Sequence, residues 1–216
     1  MLYFSETPAL TATENEQLAE AVDRYAKKIA MMCDTKLQKV RMAHNLLQTN
    51  LIYPRQVLRT DGAFQVPVLP DTEQGKHYIS AYGALVNKRA NSYGISRAMV
   101  LILKDKRINI PCQLLEGCVV TAEQGAVIHL WNVVDINHRH YHVDTTIDIL
   151  ENKQTVKRTG EAGRPLSDLD VNEVPMVETL MPSYEHCLVS DESMRGNHVW
   201  DPADAPRCMS SYTIVR

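Results

Sequence analysis

The chain has 216 residues, 44% of them hydrophobic and 23% charged, with a formal net charge of −3. That composition suits one folded domain and excludes a mainly disordered chain, which lacks the apolar surface to offset chain entropy. Slight acidity leaves no basic footprint for a nucleic-acid partner. The best apolar run, Met99 to Leu103, stops at Lys104, far short of the roughly 20 residues a membrane span needs.

With 2 Phe and 2 Trp against 9 Met, the core must rest on Leu, Ile, Val, Ala and Met. The first thirty residues carry acids early and no basic-then-apolar order, so a cytoplasmic location is expected. The five cysteines, at 33, 112, 118, 187 and 208, are odd in number and scattered. They fit reduced, mostly buried thiols better than a disulfide framework, and Cys112 and Cys118 lack the paired ligands a zinc site wants.

In chain order, Thr13 and Glu16 form a Thr-x-x-Glu capping box that opens a helix. Leu18, Val22, Tyr25, Ala26, Ile29 and Cys33 recur on one face of it. Asp34 or Thr35 starts a second helix that ends near Asn50, with Leu37, Val40, His44 and Leu47 inward. Residues 54–77, with Pro54, Gly62, Pro67, Pro70 and Gly75, read as a long loop, a feature usually functional in a compact domain. A third helix covers Ser92 to Lys106 and buries Ile95, Ala98, Met99 and Ile102. Strand-like runs follow at Cys112–Val120, Val127–Asp135 and His140–Ile147, and the last third is polar and turn-rich. The expected architecture is a single α+β domain: a helical N-terminal part (1–53), a core (78–150) and a C-terminal extension (151–216).

The most informative segment is HLWNVVDINHRHYHVDTTID, residues 129–148. Asn137-His138 between two β-rich runs predicts a tight hairpin turn. With two loop residues, Ile136 pairs with Arg139, Val133 with His142 and Trp131 with Asp144. One face then carries His129, Trp131, Val133, His142 and Asp144, and the other Leu130, Asn132, Val134, Tyr141 and Val143. His129 and Asp144 become diagonal neighbours on one face. A carboxylate bonded to one imidazole nitrogen fixes the tautomer and steadies the imidazolium, the second half of a nucleophile–base–acid triad. The plain alternative is a solvated polar face. A metal site from His138, His140, His142 and Asp144 is a third reading, awkward for tetrahedral geometry; no metal and no cofactor is expected.

Upstream lies the helix start NSYGISRAM, residues 91–99. A first turn presents free N–H groups and the positive end of the helix dipole, which lowers the pKa of a cysteine placed there. This chain has Ser92, and the common role of serine at a helix start is the N-cap.

The three segments AYGALVNKRANSYGISRAM (81–99), HLWNVV (129–134) and YHVDTTID (141–148) together resemble the transglutaminase-like superfamily, whose members share a papain-like fold. In that family a Cys-x-Gly opens the helix, a His-x-Trp-Asn starts a strand and a Val-Asp-x-Thr ends the next. Helix 34–53 is similar to the helix before the family's catalytic core, and CLVSDESM…HVW (187–200) looks like the tail of bacterial members. The resemblance covers roughly residues 13–200. It implies a papain-like core in which N-terminal helices accompany an antiparallel sheet packed on the nucleophile helix. It also implies a triad of position 92, His129 and Asp144, with Gly94 and Trp131 matching family positions.

The departure is central, because Ser92 stands where the family has Cys. On this resemblance, position 92 attacks a carbonyl of a peptide, isopeptide or glutamine amide in a peptide or protein substrate, and the acyl group passes to water or an amine. His129 acts as base and then acid, and Asp144 orients it. The backbone N–H at position 92 stabilises the oxyanion, and Trp131, Tyr82 and Tyr93 are candidates to line the site. Three readings of Ser92 stand open: a Cys→Ser change that disables an active enzyme, a natural pseudoenzyme, or a working serine nucleophile. The rival class is a non-catalytic peptide- or protein-binding module that uses the same cleft, rimmed by 54–77 and 151–200.

Overall fold

A computed structural model describes residues 3–54, 57–122, 124–150 and 182–212. The fold is α+β, with helices from the N-terminal half packed on one face of a mixed sheet. Helix α1 (Ala12–Met32) opens two residues earlier than predicted. The same Thr-x-x-Glu pattern occurs at Thr11–Glu14, and there both halves of the box close. The Thr11 hydroxyl accepts the Glu14 N–H at 3.2 Å, and Glu14 Oε2 accepts the Thr11 N–H at 2.8 Å. Helix α2 (Lys36–Asn50) is capped in the same way by Thr35 and Gln38. The inward faces are those expected, with Tyr25, Ala26 and Ile29 of α1 and Val40, His44 and Leu47 of α2 buried.

Residues 54–77 are not one loop. They hold a hairpin, β1 (Val57–Asp61) and β2 (Phe64–Val68), and the short helix α3 (Glu73–Lys76). The hairpin turns at Gly62, whose φ of +61° glycine adopts without steric cost. Pro67 disguises the strand pattern, and it is tolerated because, on the edge away from β1, β2 is ladder-paired at Gln65 alone. A 3₁₀ turn (His77–Ile79) and α4 (Ala81–Leu85) lead into α5 (Ser92–Lys104). Helix α5 ends two residues before the predicted Lys106, where Asp105 leaves helical geometry and its carboxylate accepts bonds from the Arg107 backbone and guanidinium.

The sheet runs β1-β2-β4-β3-β7, with β5 added on β4 and β6 on β5. Strand β4 (Gly125–Ile136) is its spine. On one edge it pairs from Gly125 to Val134 with β3 (Cys112–Thr121). On the other it meets β2 at Val127 and β5 (Arg139–Val143) only from Asn132 onward. Between those pairings, residues 128–131 have no strand partner on that edge among the described residues. His129 sits at this fork.

The β4–β5 register is the one predicted, with Ile136 opposite Arg139 and Val133 opposite His142. Asn137 and His138 both have positive φ (56° and 65°), the backbone of a two-residue primed turn. Beyond Val143 the expectation fails: β5 stops there, and residues 145–150 are helical (α6) rather than strand to Ile147. Asp144 causes the change, because its Oδ1 accepts the Thr146 and Ile147 N–H groups at 2.9 and 3.2 Å and so caps the new helix.

The two faces of the sheet divide as expected. Val134, Ile136, Tyr141 and Val143 join the large core with α1, α2 and α5, and Leu130 packs with Tyr93 and Ile79. On the opposite face, Trp131, Val133 and Leu115 pack with Val189, Met194 and Cys208. Each fully buried Leu, Ile or Val there is worth ~1.5–3 kcal/mol. The C-terminal residues are therefore part of the fold: β6 (Cys187–Val189) extends β5, and β7 (His198–Val199) extends β3.

Gly94 is where α5 comes closest to the turn before it. A Cβ there would lie 2.5 Å from the Tyr78 carbonyl oxygen and 2.8 Å from that of Ser80. Gly94→Ala should therefore destabilise the protein by ~2 kcal/mol or more in urea unfolding, despite a helix-propensity gain of about 1 kcal/mol.

Candidate functional site

Three elements converge at the fork. Strand β4 supplies His129 and Trp131, the β5–α6 junction supplies Asp144, and β7 supplies His198. Asp144 is 1% exposed and His129 5% exposed. His129 Nε2 lies 2.6 Å from Asp144 Oδ2, and His198 Nε2 lies 2.9 Å from the same oxygen. With Oδ1 spent on the α6 cap, all four lone-pair positions of the carboxylate are taken by N–H donors. Burial alone would raise the Asp144 carboxyl, but the charge and hydrogen bond of His129, with the bond from His198, hold it well below the usual carboxylate range.

The His129–Asp144 bond leaves Nδ1 of His129 with no partner among the described residues. A neutral His129 that gives its Nε2 proton to Asp144 has a basic Nδ1. The Trp131 ring stacks on the His129 ring at 6.0 Å, inclined by 23°. Its indole N–H donates to His142 Nδ1 at 3.0 Å, and His142 Nε2 in turn donates to Asp191 Oδ1 at 2.9 Å. Gly117, opposite His129 on β3, makes room for that indole: a Cβ would lie 2.8 Å from the ring and 2.2 Å from the Val199 carbonyl oxygen.

Ser92 occupies the first position inside α5, not the cap. Asn91 is the cap, and its Oδ1 accepts the Tyr93 and Gly94 N–H groups. Among the described residues, Ser92 makes no side-chain hydrogen bond, and its N–H has no acceptor. Its place relative to His129 follows from Ser96, one turn further on. Ser96 Oγ donates to the Leu130 carbonyl at 2.8 Å, and Asn132 Nδ2 donates to the Ser96 carbonyl at 3.0 Å. The far end of α5 is tied to the other end of β4, through Ile110 N–H to the Leu103 carbonyl and Asp135 N–H to the Pro111 carbonyl. Ser92 thus lies ~6 Å from Ser96 along the helix axis, toward the His129 end of the strand.

The two tyrosines do not join this group. The Tyr82 hydroxyl donates to Gln17 of α1 at 2.8 Å. Tyr93 is fully buried, packs edge-on against Phe4 and donates to Glu116. The histidines of the alternative metal reading also diverge, since His138 is exposed in the turn and His140 lies 4.0 Å from Asp135. Two other sets bring metal-ligand types within 4.8 Å: His129, Asp144 and His198, and His142, Asp191 and Cys208. In the second set the Trp131 N–H fixes the proton of His142 on Nε2, so that nitrogen is a donor and not a ligand. In the first, both Nε2 atoms are donors to one carboxylate oxygen, and a cation would have to displace both protons.

Sequence reasoning missed His198 and Asp191. His198 lies 54 positions from Asp144, so no local pattern joins them; the one signal for it was the isolated His-Val-Trp of residues 198–200.

No family model matches the chain, and no curated relative matches it in sequence. Among solved structures it is similar to a transglutaminase, with a TM-score of 0.45 and 13% identity over 63% of this chain and 34% of that one. It is also similar to a candidate protease from Parabacteroides distasonis, with a TM-score of 0.38 and 14% identity over 61% of this chain and 25% of that one. The chain thus spans about a third and a quarter of the lengths of these two. No helix among the described residues is long and apolar enough to cross a membrane.

The charges of the site set the sign of its pH dependence. Burial pushes His142 and His198 down, so the stability they contribute is present above the ordinary histidine value near ~6.5 and falls as pH drops through it. Asp144 and Asp148 are both lowered, and their contribution is lost only below ~4, as pH approaches their depressed folded values. Urea midpoints should fall in two stages between pH 7 and 2, and Asp144→Asn should weaken the second while costing ~3–5 kcal/mol at neutral pH.

Proposed function

We propose that the site is a transglutaminase-like acyl-transfer centre on a papain-like core, with position 92 as nucleophile, His129 as general base and acid, and Asp144 as its orienting carboxylate. The observation that carries this reading is the buried 2.6 Å bond between His129 and Asp144, which leaves Nδ1 free beside a helix whose first residue is Ser92. In the Cys form, Nδ1 takes the thiol proton and the thiolate attacks the carbonyl carbon of a peptide, isopeptide or glutamine amide. The free N–H of residue 92 faces the developing oxyanion. The imidazolium gives its proton to the departing amine or ammonia, and water or an amine then releases the acyl group from the thioester.

With serine the same centre is inactive or weak. A thiol starts near ~8.5 and ionises readily beside an imidazole at a helix start, whereas a hydroxyl must lose its proton during attack. We read the chain as an inactivated form of such an enzyme.

A second reading has its own support: Ser92 forms no hydrogen bond with His129, and a cleft of about 420 Å³ opens beside Trp200, Pro202 and Pro206. Arg195 lies over the Trp200 ring at 4.7 Å. A peptide-binding module would use such a cleft without chemistry, though Ser92, His129 and Asp144 do not line it; of the rims expected for a module in the catalytic cleft, 54–77 and 151–200, residues 151–181 lie outside the described residues.

Alkylation of Ser92→Cys protein by iodoacetamide from pH 4 to 9 separates the two. A preorganised thiolate–imidazolium pair should react rapidly below pH 7 and lose at least tenfold in rate there when His129→Ala is added. Reactivity that rises only near ~8.5, like a free thiol, would place the binding module first.

A further inference from the structure

We propose that His198 is a fourth member of the centre, a positioning residue that holds the Asp144 carboxylate in the plane and charge state that His129 needs. The inference rests on the reading of His129 and Asp144 as a base–carboxylate pair. His198 is 1% exposed, and its Nε2 donates at 2.9 Å to Oδ2, the oxygen that also receives His129 at 2.6 Å. No other described group donates to that oxygen. With Oδ1 fixed by the α6 cap, removal of His198 leaves Oδ2 one bond short in a site closed to water, and the carboxylate can pivot about Oδ1.

The ring is itself held on every side. Its Nδ1 lies 2.6 Å from Asn197 Oδ1; with the single proton of a neutral ring on Nε2, the Asn197 amide turns its NH₂ toward Nδ1. Trp131 meets it edge-on at 5.1 Å and His129 at 5.9 Å. On the remaining side, the His186 ring lies at 5.7 Å and belongs to a second buried group, in which Asp148 accepts from His186 at 3.1 Å and from His44 at 2.8 Å. The titratable groups that face His198 are therefore Asp144, His129, His186 and His142. Of these only Asp144 accepts a bond from it.

The substitution of donor for non-donor is the test. His198→Gln keeps an N–H that can reach Oδ2, His198→Phe fills the volume without one, and His198→Ala removes both. In Ser92→Cys protein, the acid limb of the alkylation profile reports loss of the thiolate, which the imidazolium of His129, held in place by Asp144, sustains. The Phe and Ala variants should move that limb up by about one pH unit and slow alkylation at pH 6 about tenfold, and Gln should restore both to within about threefold. In the native Ser92 chain, the hydrogen-bonded Nε2 proton of ¹⁵N-labelled His129 should persist in the Gln variant and be lost to exchange in the Phe variant. This spectrum needs no reactive residue 92, so it tests His198 even if the alkylation experiment rejects the acyl-transfer reading. Equal loss in Gln and Phe, or an unmoved acid limb and intact His129 proton signal in Phe, would overturn the proposal. If the Ala and Phe variants fail to fold, the Gln variant decides alone: an acid limb displaced as far as one pH unit would reject His198 as a simple donor.

Discussion

A buried carboxylate with every lone pair occupied organises this protein. Asp144 ends β5, caps α6 and accepts two imidazoles, so one side chain sets the local backbone and the electrostatics of the site together. An isolated carboxylate at 1% exposure would be protonated or expelled. Here, four donors offset the loss of water, and the residue stays ionised. The two oxygens divide the work. Oδ1 anchors the carboxyl to the backbone, which leaves Oδ2 as a fixed acceptor with a defined direction, and that fixed direction makes the His129 ring orientation definite.

The polar groups behind this carboxylate follow the same rule of complete pairing. His142 is held between the Trp131 indole and Asp191, so the ring that stacks on His129 is fixed through two further bonds. Asp148 binds His44 of α2 and His186 just before β6, and Ser183 joins it by a hydroxyl bond at 3.1 Å. The C-terminal segment is thereby fastened to both the sheet and the helical layer. Such networks add little net stability against an apolar core, but they leave few alternative arrangements, because any slip strands a charge away from water.

Much of this was legible in the sequence, and the misses have a common cause. Helical periodicity identified the inward faces of α1, α2 and α5, and Asn137-His138 fixed the hairpin register, because both signals are local and each depends on a single physical effect. The register in turn placed His129, Trp131 and Asp144 on one face. The errors arose where a residue had two possible jobs. Thr-x-x-Glu occurs twice within residues 11–16, and only contacts decide between them. Asp144 reads as a strand residue until its capping bonds are seen. Pro67 hid β2, although Asp61-Gly62 is a turn signal of the ordinary kind. His198 and Asp191 lie in a segment that the resemblance covers, but their pairing was not legible, because their partners lie 54 and 49 residues away and pairing at that distance is settled by the fold alone.

The position of Ser92 bears on why the site is kept in this form. A serine at a helix start normally supports the helix by capping it, worth ~1 kcal/mol, and that explanation is not open here because Asn91 holds the cap. Nor does the hydroxyl tie the helix to the sheet; Ser96 does so one turn later. Among the described residues, the scaffold therefore has no structural use for an oxygen at position 92. Nearby groups are different, since His129, Asp144, Trp131 and His142 are bound into one another and into the backbone, and loss of any one would leave a buried polar atom unpaired. Exchange of the Ser92 oxygen consequently disturbs no contact among the described residues, whereas His129 and Asp144 are held by the stability that their mutual bond confers.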